Sequence, residues 1–269
     1  MSSRSETDRR RNRHFPSGKA MGNMPVGPRY AIYFVPAAGS RLYRFGSRLI
    51  GYDCYTGETI PPHQDDALPD DWTALTRTPR RYGFHATLKA PFALAEGCSE
   101  AALREAFAAF CAKPRETASV ALALRTIDDF AALVPSEACD TLAKLAAACT
   151  TCFDGFRAAP TPDELRRRKP ETLTTRQREH LANWGYPYVF EDYRFHMTLS
   201  GSLPRERIAH ILESLDRLFH RACLGKTHID GIALLRQDCA EASFRVMDRL
   251  PLAQVRSVLT QGSASIVRA

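Results

Sequence analysis

The stretches YGFHATL (Tyr82 to Leu88) and YRFHMTL (Tyr193 to Leu199) agree at five positions of seven and lie 111 residues apart. At about one chance in twenty per matched position, such a coincidence arises roughly once in a hundred chains of this size. Each stretch alternates a large apolar residue with a polar one, the period of a half-buried strand. Phe84, Ala86 and Leu88 would then face a core, with His85, Thr87 and Lys89 on the other side. In the second copy Phe195, Met197 and Leu199 face inward, and His196, Thr198 and Ser200 outward.

The repeat extends beyond the motifs. Downstream of Tyr82 the order reads as a strand ending near Pro91, a helix from a Ser99 cap to about Ala112, and a hairpin made of SVALALRTI and FAALVP. A helix over about 136–150 follows. Downstream of Tyr193 come a strand ending near Pro204, an amphipathic helix over 205–221, and a hairpin made of HIDGIALLRQD and ASFRVMDRL. Leu124-Arg125 and Leu235-Arg236 keep the same offset of 111. A duplicated unit is indicated, with too few copies for a solenoid. RYAIYFVP (29–36) adds a strand, residues 39–80 read as irregular, and residues 153–192 read as a polar link with one or two helices.

The expected fold is α+β and bilobal, with two pseudo-symmetric lobes, each an antiparallel sheet lining a central cleft with helices outside. One such domain is expected over 29–252, with lobes over about 82–135 and 193–250. An Arg-rich tail, 1–28, reads as disordered, and a C-terminal extension covers 253–269.

Composition is that of a globular protein, 44% hydrophobic and 25% charged. No apolar run approaches the roughly 18 residues needed to span a bilayer, and the tail has no secretory apolar region. Of the formal charge of +7, the tail contributes +4, leaving a body that suits an anionic ligand without requiring nucleic acid. The eight cysteines show one C-x-x-C spacing, Cys149 and Cys152, without the second pair or histidines of a zinc site. They read as reduced thiols in a cytoplasmic protein, with a redox role as the lesser reading.

If the two lobes face each other, two imidazoles and two hydroxyls converge. Opening a phosphodiester requires removing a proton from the attacking oxygen and giving one to the leaving oxygen. Two histidines, with an ordinary pKa of about 6.5, can divide that work. Thr87 and Thr198 can donate to the non-bridging oxygens as charge grows. No metal or cofactor is required. A two-histidine metal site is the chemical rival, with His63 and Asp53 as further ligands. Lys89, Ser200 and Tyr188 are candidate substrate contacts, Tyr186 and Tyr188 as stacking residues. Arg166 to Lys169 reads as an exposed basic helix face or as a grip on a second phosphate. His14, His180, His210, His220 and His228 have no partner pattern.

His85-Ala-Thr87-Leu and His196-Met-Thr198-Leu resemble the paired signatures of the two-histidine (2H) phosphoesterase superfamily. RYAIYFVP, YGFHATLKAPF, NWGYPYV and RFHMTLSG are more similar to a bacterial branch linked to phosphonate use. The resemblance covers about 29–252. It implies a bilobal α+β fold and cleavage of cyclic or 2′,5′-type phosphodiesters without metal. His85 and His196 would be the acid/base pair, and Thr87 and Thr198 would hold the phosphate. It also implies a small phosphorylated substrate, a ribose cyclic phosphate in the phosphonate-linked branch. A non-catalytic phosphate-ligand module and an enzyme processing RNA ends are the alternatives.

Overall fold

A computed structural model describes residues 27–61 and 68–255. His63, Asp65, Asp66, the tail up to residue 26 and the extension beyond residue 255 lie outside the described residues. The elements run β1 (Arg29–Phe34), α1 (Arg41–Ile50), α2 (Trp72–Leu75), α3 (Arg77–Arg80), β2 (Ala86–Ala93), α4 (Glu100–Ala112), β3 (Ser119–Val120), β4 (Leu122–Ile127) and β5 (Phe130–Pro135). Then follow α5 (Asp140–Cys152), α6 (Pro162–Arg167), α7 (Thr175–Trp184), β6 (Met197–Thr198), α8 (Ile208–Arg221), β7 (Thr227–His228), β8 (Gly231–Gln237) and β9 (Arg245–Pro251). Short 3₁₀ turns punctuate the link before β6 and the start of α8.

Seven strands form one sheet in the order β4-β5-β6-β2-β1-β8-β9, antiparallel throughout, so the α+β class is as expected. Its two halves, β4-β5-β6 and β2-β1-β8-β9, meet where β6 lies beside β2, at the single pair Ala86 and Met197. Each half takes the hairpin that follows the other half's motif. Hairpin β4–β5 comes after the first motif yet pairs with β6. Hairpin β8–β9 comes after the second yet pairs through β1 with β2. The helices stay with their own motif: α4 packs on β8 and β9, and α8 on β4. The two chain segments that cross over, β3 and β7, pair with each other on the way. Allotting 82–135 to one lobe and 193–250 to the other is therefore corrected, because each hairpin is exchanged.

The described parts of 39–80, residues 39–61 and 68–80, are not irregular throughout but hold α1, α2 and α3. Ser40 caps α1 by accepting from the Tyr43 amide, and Gly51 closes it in the left-handed region at φ 77. Gly46 lets that helix lie on the fully buried Phe84 ring, where a Cβ would come within 2.3 Å of ring carbons. The residue just before His85 is thus seated by α1. The helix expected over 136–150 is α5, shifted to start after Cys139. The Ser99 cap and α4 fall where expected.

Both motif strands are shorter or later than read. Tyr82 to His85 is turn, β2 begins at Ala86, and it continues past Pro91 because the register slips there. A bulge at a strand proline removes the need for the missing N–H. Strand β6 keeps only Met197 and Thr198; after it, the amides of Leu199 and Ser200 both donate to the Ala131 carbonyl, at 2.8 and 3.3 Å, and the ladder ends. The inward sets hold: Phe84, Ala86, Leu88, Phe195, Met197 and Leu199 are all buried.

Candidate active site

The Ala86–Met197 pair fixes the site. Continued by one residue each way, that antiparallel register sets His85 opposite Thr198 and Thr87 opposite His196. Opposite side chains on one face lie about 4.5–5.5 Å apart at Cβ, and diagonal ones about 7–8 Å. The two histidines occupy one diagonal of a small square and the two threonines the other. The four side chains thus meet side by side on one sheet face. They do not face each other across opposed lobes, as the sequence had suggested.

Both imidazoles are held alike. His85 Nδ1 lies 2.9 Å from the Gly83 carbonyl, and His196 Nδ1 lies 2.8 Å from the Arg194 carbonyl, each two residues back. A carbonyl only accepts, so each Nδ1 carries a hydrogen and each neutral ring keeps its lone pair on Nε2. His85 Nε2 lies 3.2 Å from Thr87 Oγ1, within reach of that hydroxyl as donor. Gly83 sits at φ 77, and a Cβ there would come within 2.7 Å of Cys54 Cβ. Arg194, its counterpart in the second motif, is exposed and lines the cleft.

Burial lowers the pKa of both rings. His85 falls to about 4, chiefly by desolvation, with a smaller contribution from His196 and an opposing one from the Gly83 carbonyl. His196 is lowered by burial, against the stabilising bond to the Arg194 carbonyl. Electrostatic coupling between the rings agrees with their diagonal placement. The walls differ. The buried Tyr33 ring stacks on His85 at 3.8 Å and 23°, whereas Phe130 is tilted 53° to His196 at 5.8 Å.

A cleft of about 620 Å³ is lined by Thr87 and His196 of the motifs, with Phe130, Arg176, Tyr186, Tyr188, Arg194 and the carboxylates of Asp128, Glu191 and Asp192 around them; His85 and Thr198 are not among its lining residues. Tyr188, 44% exposed, lines the cleft edge-on to Tyr186 at 5.5 Å. Arg168 covers the other side of Tyr186 at 4.8 Å, so the basic run does reach the site's border, while Arg166 points to Asp163. Arg29 and Arg168 both act electrostatically on Tyr33, the ring behind His85.

Two expected contacts are corrected. Lys89 is 4% exposed; its Nζ bonds Asp154 Oδ1 at 3.0 Å and the Thr150 carbonyl at 3.1 Å, tying β2 to the end of α5. The register steps from Tyr33–Thr87 to Ile32–Lys89, so an extra residue, Leu88, turns Lys89 to the face opposite Thr87. Ser200 is fully buried, its Oγ accepting from the Ala131 amide and donating to the Gly201 carbonyl. Alternation had failed there because β6 had already ended.

Asp53 caps a turn, its carboxylate accepting from Tyr43 Oη at 2.7 Å and the Tyr55 amide at 2.8 Å. Among the described residues no three His, Cys, Asp or Glu side chains cluster to hold a metal. All eight cysteines are free thiols, and burial pushes the Cys149 thiol far up. Arg194, Arg176 and Phe130 were missed by the sequence reading. Arg194 stood inside the quoted motif, and its difference from Gly83 was the available signal. His180 was also passed over; it backs the wall with Nε2 3.5 Å from Asp192 Oδ2, the carboxylate that Arg176 also holds.

The fold is that of an α+β protein in which Thr87 of the first His-x-Thr motif and His196 of the second line one cleft. The chain belongs to the family described as Protein of unknown function (DUF1045), whose model matches residues 87–245. It is 36% identical over 228 residues to the ribose 1,5-bisphosphate phosphokinase PhnN of Janthinobacterium sp. (strain Marseille), covering 83% of this chain and 50% of that protein. It is 38% identical over 222 residues to the protein of the same name from Laribacter hongkongensis (strain HLHK9), covering 81% and 50%. The chain thus spans about half the length of these curated relatives. Among solved structures, E. coli LigT complexed with 3′-AMP has a TM-score of 0.39 at 12% identity, with 85% of this chain and 99% of that one covered. A conserved protein of unknown function from Agrobacterium tumefaciens str. C58 has a TM-score of 0.41 at 13% identity, with 86% and 88% covered. Among the described residues no helix is long and apolar enough to cross a membrane.

Proposed function

We propose that this chain is a phosphodiesterase that opens a cyclic phosphodiester of a small nucleotide or sugar phosphate without a metal ion. The carrying observation is the Ala86–Met197 register, which supports a square of two imidazoles and two hydroxyls around one phosphorus. One neutral Nε2 takes a proton from water as it attacks. The other ring, protonated at Nε2, gives its proton to the leaving oxygen on the far side of phosphorus. Thr87 and Thr198 donate to the non-bridging oxygens, and Arg194 adds positive charge at the rim. Burial leans both rings towards the neutral form. An anionic phosphate beside them raises their pKa, so substrate brings the acid's proton with it.

A phosphorylated ribose is the favoured substrate. Both relatives are named for ribose 1,5-bisphosphate, and Arg29 and Arg168 on the His85 side offer a second phosphate its counter-charge. The name is also that of a kinase. Gly-x₄-Gly-Lys-Ser/Thr, the usual nucleotide-phosphate loop, is absent from this sequence; Gly225-Lys226-Thr227 has His220 where the first glycine would stand. Ester opening is therefore the favoured reading for this chain, which spans about half the length of those relatives.

The test is turnover of 2′,3′- and 1,2-cyclic phosphates, with and without a second phosphate group, in excess chelator. His85→Ala and His196→Ala should each lower kcat by about 10²–10⁴-fold. Full activity in either single variant would refute the shared acid–base role. Ligand recovered unchanged from a tight complex with the native chain would favour a binding module. Preference for RNA ends over all small esters would favour RNA processing.

A further inference from the structure

We propose that Asp192 is a positioning residue that fixes the Arg176 guanidinium at the cleft, where Arg176 binds an uncharged, hydrogen-bonding part of the substrate, sugar hydroxyls or the edge of a base. The inference rests on the phosphodiester reading above and adds what lies beyond the reacting phosphorus. Arg176 and Asp192 both line the cleft that Thr87 and His196 share.

Arg176 stands in the first turn of α7, behind the Thr174 cap, and Asp192 in the short turn that follows Val189. Arg176 Nε donates to Asp192 Oδ2 at 2.8 Å and Nη2 donates to Oδ1 at 3.1 Å, a two-pronged pair. Gln177 Nε2 donates to the same Oδ1 at 3.3 Å, and His180 Nε2 stands 3.5 Å from Oδ2. Three residues of one helix thus gather on a carboxylate that is 11% exposed, while the Arg176 side chain is 56% exposed. The guanidinium beside it holds the Asp192 carboxyl below its ordinary range, so the anchor stays ionised.

Arginine carries five N–H donors in one plane. Asp192 takes two of them, and among the described residues nothing takes the other three. An exposed ion pair contributes only about 0–1 kcal/mol to stability and needs no such bracing. A fork held rigid with one edge open is what a binding residue requires, because its rotamer is fixed before the ligand arrives.

Charge decides what that edge takes. Asp192 neutralises Arg176, and the remaining charges lining the cleft are Arg194 against Asp128 and Glu191. A second phosphate would meet more carboxylate than guanidinium there. An uncharged group avoids that repulsion: it accepts from Arg176 and donates O–H or N–H to Asp128 or Glu191. Phe130 and Tyr188 supply apolar faces beside it. A second phosphate belongs instead with Arg29 and Arg168 on the His85 side, so the substrate lies with its charged end there and its neutral end towards α7.

Steady-state kinetics of the full chain test this with ethylene cyclic phosphate, ribose 1,2-cyclic phosphate with and without a 5-phosphate, and cytidine 2′,3′-cyclic phosphate. Arg176→Lys keeps the charge and loses the fork, and Asp192→Asn loosens the fork. Each should raise KM for the ribose or cytidine ester by about tenfold, well beyond any rise for the ethylene ester, with kcat changing less than KM. A rise confined to the cytidine ester assigns the base, and one shared by the ribose ester assigns the hydroxyls. An equal change for every ester, or none, would overturn the proposal, as would an Arg176 effect that grows with the 5-phosphate. Should Asp192→Asn fail to fold, the exposed Arg176→Lys decides alone. If the native chain opens none of the esters, the phosphodiester reading fails by itself, and calorimetry with cytidine 3′-monophosphate and inorganic phosphate tests Arg176 directly. The nucleotide should bind more tightly than phosphate, and Arg176→Lys should remove most of that margin; an unchanged margin would overturn the inference.

Discussion

His85 is pressed between the Tyr33 ring and its own turn, and its displaced pKa ties protonation to folding. In the unfolded chain it titrates near the ordinary value of about 6.5, whereas in the fold it does so at about 4. The unfolded state thus binds more protons between those values, so stability falls as pH falls. The contribution from neutral His85 is complete above about pH 6.5 and lost on the way down through about pH 4. Urea titrations between pH 7 and pH 4 should show a shallower loss for His85→Gln than for the native chain; equal slopes would contradict the burial argument. The four motif side chains were legible in the sequence because period two and a buried inner set leave them one face. Lys89 and Ser200 were not, since a bulge and an early strand end reverse or abolish alternation. Neither event has a signature in the residues themselves.

At the scale of elements, the Lys89–Asp154 pair is a clamp between β2 and the turn after α5, shared by Arg157 at 2.9 Å. Removing one partner of a largely buried pair leaves a desolvated charge. Lys89→Met should therefore cost about 1–3 kcal/mol in unfolding free energy, the remaining Arg157 contact softening the loss. KM for a cyclic phosphate should stay unchanged in that variant. A raised KM at native stability would return Lys89 to the role of a phosphate contact. The capping serine before α4 and the apolar stripe of α8 could be read directly. Helix α1 could be read as well, against the irregular reading of that stretch: Leu42, Tyr43, Leu49 and Ile50 recur at helical spacing, and Arg41, Arg44 and Arg48 hold the polar face. Ser40 and Gly51, one at each end, marked its limits.

For the whole molecule, the exchange of hairpins decides how the chain comes apart. Strand β6 finds its outer neighbours in a hairpin that belongs by sequence to the other copy, and β2 reaches the second hairpin through β1. Neither half contains a sheet completed by its own segment. Unfolding in denaturant should give one transition, with far-ultraviolet circular dichroism, tryptophan fluorescence and catalytic loss at coincident midpoints. Separate midpoints would mean that the halves fold independently. The constant offset of 111 residues announced that something repeats. It carried no word on which copy would pair with which, since pairing depends on the crossing of β3 and β7, two residues each.

That crossing also bears on ancestry. A forebear of half this length, holding one strand, one helix and one hairpin, would have had no neighbour for its hairpin except the strand of a sibling. Two such polypeptides would complete their sheets only by lending arms to each other, so neither half cut from this chain is expected to close a sheet alone.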